Sequence, residues 1–151
     1  MARLPALLIV LLLATPAGAG EAQVLAGPAV ALDGDTILVA GERVRLWGID
    51  APEMRDWPWG AHSRAALDRI VAGHEISCTE YARDRYKRPV AVCHRIADDT
   101  ELGIALLLAG RAVVYRRFTA AATGALAELA EIYDAGERRA IAQGRGVWKV
   151  R

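Results

Sequence analysis

Between Gln23 and Ile49, apolar and polar residues fall into three short strand-like runs. Gln23 to Leu32 and Thr36 to Val39 read as strands joined at Asp33-Gly34, and a third run, "GERVRLWGI", follows a turn at Ala40-Gly41. Asp-Gly between apolar runs is a strong hairpin signal, because glycine reaches positive φ without a Cβ clash and aspartate bonds its own backbone. In the third run Val44 and Leu46 alternate with Arg43, Arg45 and Trp47, so one face is expected to be buried. The period then changes. In "WPWGAHSRAALDRIVAG", Ala66, Leu67, Ile70 and Val71 recur at helical spacing and Gly73 supplies the stop.

Strands return at His74 to Cys78 and Pro89 to Ile96, connected by the charged turn "EYARDRYKR". Thr100 reads as the N-cap of "ELGIALLLAG", a helix apolar almost all round, expected in the core and ended by Gly110. A short strand, Ala112 to Tyr115, leads through "RRFTAAATG" into a last helix, Ala125 to Gln143, with Gly136 as an internal weak point. This order predicts an α+β, mainly β fold: a five-stranded OB-type Greek-key barrel with about three helices. Such barrels often bind single-stranded nucleic acid, but a fold does not by itself give a function.

Charge and composition change the picture at the chain start. Arg3, the apolar run Leu4 to Ala14 and "TPAGAG" have the three regions of a secretory signal peptide, residues 1–19, with cleavage expected after Ala19. The run is well short of the roughly 20 apolar residues that a spanning helix needs. The mature chain, residues 20–151, is therefore expected to be secreted or periplasmic, without stable membrane insertion, and to form one domain and a monomer. Losing Arg3 lowers 19 basic residues to 18, which balances the 18 acidic ones. An anionic partner must then be held by local charge rather than by a global field.

Cys78 and Cys93 lie in two strand-like runs on either side of a polar turn and could face each other across a hairpin. In an exported chain a disulfide persists; two buried free thiols are the alternative. No CxxC or Cys/His spacing argues for zinc, and His62, His74 and His94 fall on separate elements, as solvated or core residues would.

The candidate chemistry lies in four stretches: "DGDT" from Asp33, "RLWGIDAPE" from Arg45, "DRYKR" from Asp84 and "GRGVW" from Gly144. Two carboxylates brought together from adjacent strand ends, as Asp35 and Asp50 would be, repel unless a cation or proton sits between them. Hard oxygen ligands of that kind suit Ca2+. Glu53, in the rigid "DAPE" turn, is placed to take a proton from an attacking water. Arg45 and Arg88 offer planar forks of donors that fit phosphate oxygens and keep their charge at neutral pH.

In their order and near-spacing, these four motifs resemble the staphylococcal nuclease-like (thermonuclease) family over nearly all of the mature chain. The resemblance implies a Ca2+-dependent nuclease that hydrolyses DNA and RNA, prefers single-stranded regions and leaves 5′-hydroxyl and 3′-phosphate ends. It implies Asp35 and Asp50 as metal ligands together with the carbonyl oxygen of Ala51, which stands where the best-known member has threonine. Glu53 would be the general base, and Arg45 and Arg88 would grip the scissile phosphate. Tyr86 and Tyr115 would line the nucleotide pocket. Lys87 occupies a position where the family commonly has glycine; it adds a cation beside the phosphate path, and a positive φ there would cost about 1 kcal/mol and bear on the tilt of Arg88. The alternative function is a non-cleaving OB-fold module that binds single-stranded nucleic acid. Trp57 and Trp59 are expected to pack their loop onto the barrel, with a base-stacking role open for either.

Overall fold

Reversals at Asp33-Gly34 and Ala40-Gly41 fold the first three strands back on one another, as the Asp-Gly and Ala-Gly turns predict. The computed structural model describes residues 23–149; the expected signal peptide lies outside the described residues. In chain order the elements are β1 (Val24–Ala31), β2 (Thr36–Val39), β3 (Glu42–Leu46), β4 (Ile49–Asp50), α1 (Trp59–Val71), β5 (Glu75–Arg83) and β6 (Pro89–Arg95). There follow β7 (Thr100–Glu101), α2 (Leu102–Leu108), β8 (Val113–Val114), α3 (Arg116–Thr119), α4 (Ala125–Ala142) and a 3-10 turn at Gly146–Trp148.

Five strands run in the order β3-β2-β1-β5-β6, and a parallel pairing of β3 with β6 closes them into a barrel. That closure has a functional consequence. It sets Arg45 opposite Val90, two residues beyond Arg88, so arginines far apart in sequence come to neighbouring strand ends. The barrel is filled by side chains that alternate inward along the strands, including Ile37, Val44, Leu46, Ile76 and Val90, none more than 1% exposed. Leu67 and Val71 of α1 and Leu102, Leu106 and Leu107 of α2 complete the core. Each such side chain contributes about 1.5–3 kcal/mol by leaving water.

Cys78 and Cys93 are register partners across β5 and β6 and form a disulfide inside the barrel, both fully buried. Several expectations need correction. Strand β5 continues to Arg83, with a bulge between Glu80 and Ala82, so the charged turn shrinks to residues 84–88. Trp47 is buried against Tyr133, not placed outward with Arg43, because the chain leaves β3 at Leu46 and turns through Gly48. Helix α2 is capped by Glu101, not Thr100: its carboxylate accepts from the N–H groups of Gly103 and Ile104, while Thr100 pairs in β7. The stretch after Tyr115 contains an additional short helix, α3.

Gly136 is a site of close approach rather than a weak point. A Cβ there would lie 2.5 Å from Cδ1 of Ile104, so its absence lets α4 settle on α2. Among the described residues no helix is long and apolar enough to cross a membrane.

Candidate active site

Where β2 begins and β3 and β4 end, a cavity of about 350 Å³ opens. Its lining contains Asp35, Arg45, Asp50, Ala51, Glu53 and Arg88. Tyr86, Lys87 and Tyr115 stand outside that lining, and none of the three histidines contributes to it.

The turn before β2 fixes Asp35. Its N–H donates to Oδ1 of Asp33 at 3.2 Å, and its own Oδ1 accepts from the hydroxyl of the buried Thr36 at 3.0 Å. Arg45 Nη1 donates to Asp35 Oδ2 at 2.8 Å, and the N–H of Ala51 reaches the same oxygen at 3.3 Å. Arg45 Nη2 bonds Asp50 Oδ1 at 2.9 Å and the carbonyl of Ile49 at 3.2 Å. One guanidinium thus joins the two carboxylates, and among the described residues its Nε–H and one Nη1–H have no hydrogen-bond partner.

Burial pushes the Asp35 carboxyl up to about 6, against the pull of Arg45. Burial works against the charge of Arg45 too, but Asp35 and Asp50 more than offset it and hold its pKa above the ordinary arginine value. A buried carboxylate that one arginine does not fully compensate, facing a polar cavity, favours a further cation. The donor set fits Ca2+: two carboxylates and the carbonyl of Ala51 are hard oxygens, and Asp50 is half-exposed toward solvent. Among the described residues no group of three His, Cys, Asp or Glu side chains is placed to hold a metal ion by itself.

Arg88 is held from its own turn. Its Nε donates to Asp84 Oδ2 at 2.7 Å, while Asp84 Oδ1 accepts the N–H groups of Tyr86 and Arg88. Among the described residues the Nη1/Nη2 edge of Arg88 has no protein partner, which leaves free the fork that matches two phosphate oxygens. Burial works to raise the Asp84 pKa, but the side-chain and backbone donors of Arg88 and the N–H of Tyr86 together outweigh it and lower the value. Lys87 does adopt φ +63°, yet Arg88 keeps its bonds to Asp84 and lines the cavity, so the lysine does not displace it.

Glu53 is exposed and lies 3.0 Å from Arg55 Nη2. Its backbone is pinned from two directions: its N–H donates to Asp56 Oδ2, and Gly60 of α1 packs on its carbonyl so closely that a Cβ at position 60 would overlap that oxygen. Gly34 plays the same part beneath the aspartates, where a Cβ would lie 2.6 Å from Ala51 Cβ and 2.7 Å from Ser63 Cβ. Tyr115 stands over Arg45, with its ring centroid 5.7 Å from Cζ, and Tyr86 is flanked by Arg85 at 4.7 Å and Arg88 at 5.6 Å.

Several contributors were not read from the sequence. Asp84 could have been found from its place four residues before Arg88 in "DRYKR". Glu137 carries no such signal. From the buried face of α4 its carboxylate accepts the N–H of Val114 at 2.7 Å and bonds Arg116 at 2.6 Å. This holds β8, which pairs with β4 through Val113 opposite Asp50 and Val114 opposite Ile49.

Residues 43–150 match the family model described as Staphylococcal nuclease homologue. The chain is 35% identical to the succinoglycan biosynthesis protein ExoI of Rhizobium meliloti over 141 residues, 87% of this chain and 68% of that protein. It is 30% identical to the probable endonuclease LCL3 of Phaeosphaeria nodorum over 70% of this chain, but spans only 37% of that protein. An uncharacterized endonuclease of Escherichia coli O157:H7 is 35% identical over 58% of each chain.

Proposed function

This chain belongs to the staphylococcal nuclease family, and from that premise we propose that it is an exported nuclease, dependent on Ca2+, that hydrolyses phosphodiester bonds of DNA and RNA with a preference for single strands. The observation that carries the reading is the convergence of Asp35, Asp50, Glu53, Arg45 and Arg88 on one cavity. A module that only binds has no physical need for paired carboxylates under an arginine. The buried disulfide suits an oxidising compartment and so supports export.

Held by Asp35, Asp50 and the carbonyl oxygen of Ala51, Ca2+ would supply charge that neutralises the phosphate and polarises its oxygens. The free edge of Arg88 and the uncommitted N–H groups of Arg45 donate to non-bridging oxygens, whose negative charge grows as water adds to phosphorus. Glu53 accepts the proton that the water loses. The bond from phosphorus to O5′ breaks, O5′ takes up a proton, and a 3′-phosphate remains. A carboxylate is a weak general base, so most of the acceleration comes from electrostatic stabilisation and the proton acceptor adds less.

The test is incubation of the mature chain with single-stranded DNA in Ca2+ and then in excess chelator. Cleavage confined to Ca2+, with at least about a hundredfold loss in Arg88→Ala, is expected; that loss is about 3 kcal/mol of transition-state stabilisation. Tight binding without cleavage in Ca2+ would establish the binding-module alternative instead.

A further inference from the structure

Trp57 is the most exposed of the large apolar side chains among the described residues, at 78%, and Tyr86 follows at 64%. Tyr86 belongs to the turn that delivers Arg88 to the cavity. Trp57 belongs to the loop that delivers Glu53 and Met54 to it. The sequence leads one to expect both Trp57 and Trp59 to pack their loop onto the barrel, with base stacking open for either; that expectation fails for Trp57, which is exposed. Trp59 opens α1 half-buried, edge-on to His62, while Trp57 has no aromatic partner among the described residues and is exposed.

The loop that carries Trp57 is well fixed. Asp56 accepts the N–H of Glu53 at its side chain and returns its own N–H to the Glu53 carbonyl at 2.8 Å. Gly60 donates to the Asp56 carbonyl at 3.0 Å and His62 to that of Pro58 at 3.0 Å. An indole presented on a fixed loop loses little conformational freedom when something lies against it. Arg55, highly exposed on the same loop, pairs with Glu53 at 3.0 Å.

We propose that Trp57 is a stacking platform for a nucleobase that flanks the scissile phosphate. The proposal rests on the nuclease reading of the cavity and extends the substrate contact beyond the reacting phosphate to an adjacent base. Every base has a π-face, so the contact is tolerant of sequence, and a single strand can offer a base that a duplex keeps stacked. The enzyme therefore favours strands that continue past the cleaved bond over substrates that carry a single nucleoside.

The test compares the full mature chain with Trp57→Ala and Trp57→Phe on single-stranded DNA in Ca2+, on the same strand with abasic residues flanking the cleaved position, and by binding in chelator. Trp57→Ala is expected to raise KM and weaken binding about tenfold with kcat nearly unchanged. Trp57→Phe should recover most of the loss, and the penalty should vanish on the abasic strand. Equal KM values for wild type and Trp57→Ala, or an equal penalty on the abasic strand, would overturn the platform. A wild type that binds with the Trp57 penalty but does not cleave sinks the nuclease reading alone; one that neither binds nor cleaves sinks both.

Discussion

Arg45 donates from Nη1 to Asp35 Oδ2 across 2.8 Å, and the same carboxylate is a proposed metal ligand. Arginine and metal ion therefore share one buried anion. In the absence of metal Arg45 is the cation that bridges the two carboxylates, and removing it leaves Asp35 and Asp50 without that bridge.

Arg45→Met is predicted to lose about 2–3 kcal/mol of stability in chelator, less than a fully buried pair would lose because Asp50 is half-exposed. Ca2+ should restore more stability to the variant than it adds to wild type. Urea midpoints with and without Ca2+ measure this, and an equal Ca2+ gain in both proteins would count against the shared-anion account. Activity should fall at least about a hundredfold.

Asp84 supplies the pH test. Its folded pKa is lowered from 3.8 by its hydrogen bonds to Arg88 and Tyr86, which outweigh desolvation. The stabilisation is thus fully present above the unfolded value and is lost as pH falls through the lower, folded one. The difference in urea midpoint between wild type and Asp84→Asn should be constant above about pH 5 and shrink below about pH 4. At neutral pH the variant should also cleave more slowly, since Arg88 loses its anchor; unchanged cleavage would show that the turn holds Arg88 without it.

Gly60→Ala tests the support of Glu53. A Cβ at position 60 meets the Glu53 carbonyl, so the loop must shift. A displacement of about 1 Å can cost a hundredfold in rate, and kcat is predicted to drop by about ten- to a hundredfold. Metal affinity, read by Ca2+ titration of stability, should stay close to wild type, because Asp35, Asp50 and Ala51 lie outside that contact. A kcat within twofold of wild type would remove Gly60 from the account of Glu53.

The Cys78–Cys93 bond closes a sequence separation of 15 residues. Constraint of the unfolded chain over that length stabilises by about 3 kcal/mol. Reductant should lower the urea midpoint of the wild type by a matching amount and leave the double variant Cys78→Ala/Cys93→Ala unmoved. Identical midpoints in oxidised and reduced wild type would contradict this.

Much of the site is legible in the sequence because turn chemistry and site chemistry occupy the same short stretches. Asp33-Gly34 announces a reversal, and Asp35 follows it directly; "RLWGIDAPE" carries Arg45, Asp50 and Glu53 on one strand end and its exit. Trp47 was misplaced because alternation holds only while a strand runs straight, and the chain bends at Gly48. Glu101 was missed as a cap because Asp99, at φ +57°, turns the chain so that Thr100 still pairs in β7. Gly136 looked like a flaw because propensity is local, whereas its value depends on Ile104 from another helix. Glu137 was invisible for the same reason: what it supports, the Val114 N–H, lies 23 residues upstream.

That contact also ties the candidate site to the last helix of the described chain. Every residue proposed to act on substrate lies between Asp35 and Tyr115, yet the strand that backs Asp50 is tied down by Glu137, near the C-terminal end of the described chain. A chain emerging from the ribosome carries the whole set of proposed reactive groups before the last helix has been made. The nuclease reading then implies that the strand behind Asp50 is fully held only once α4 has docked.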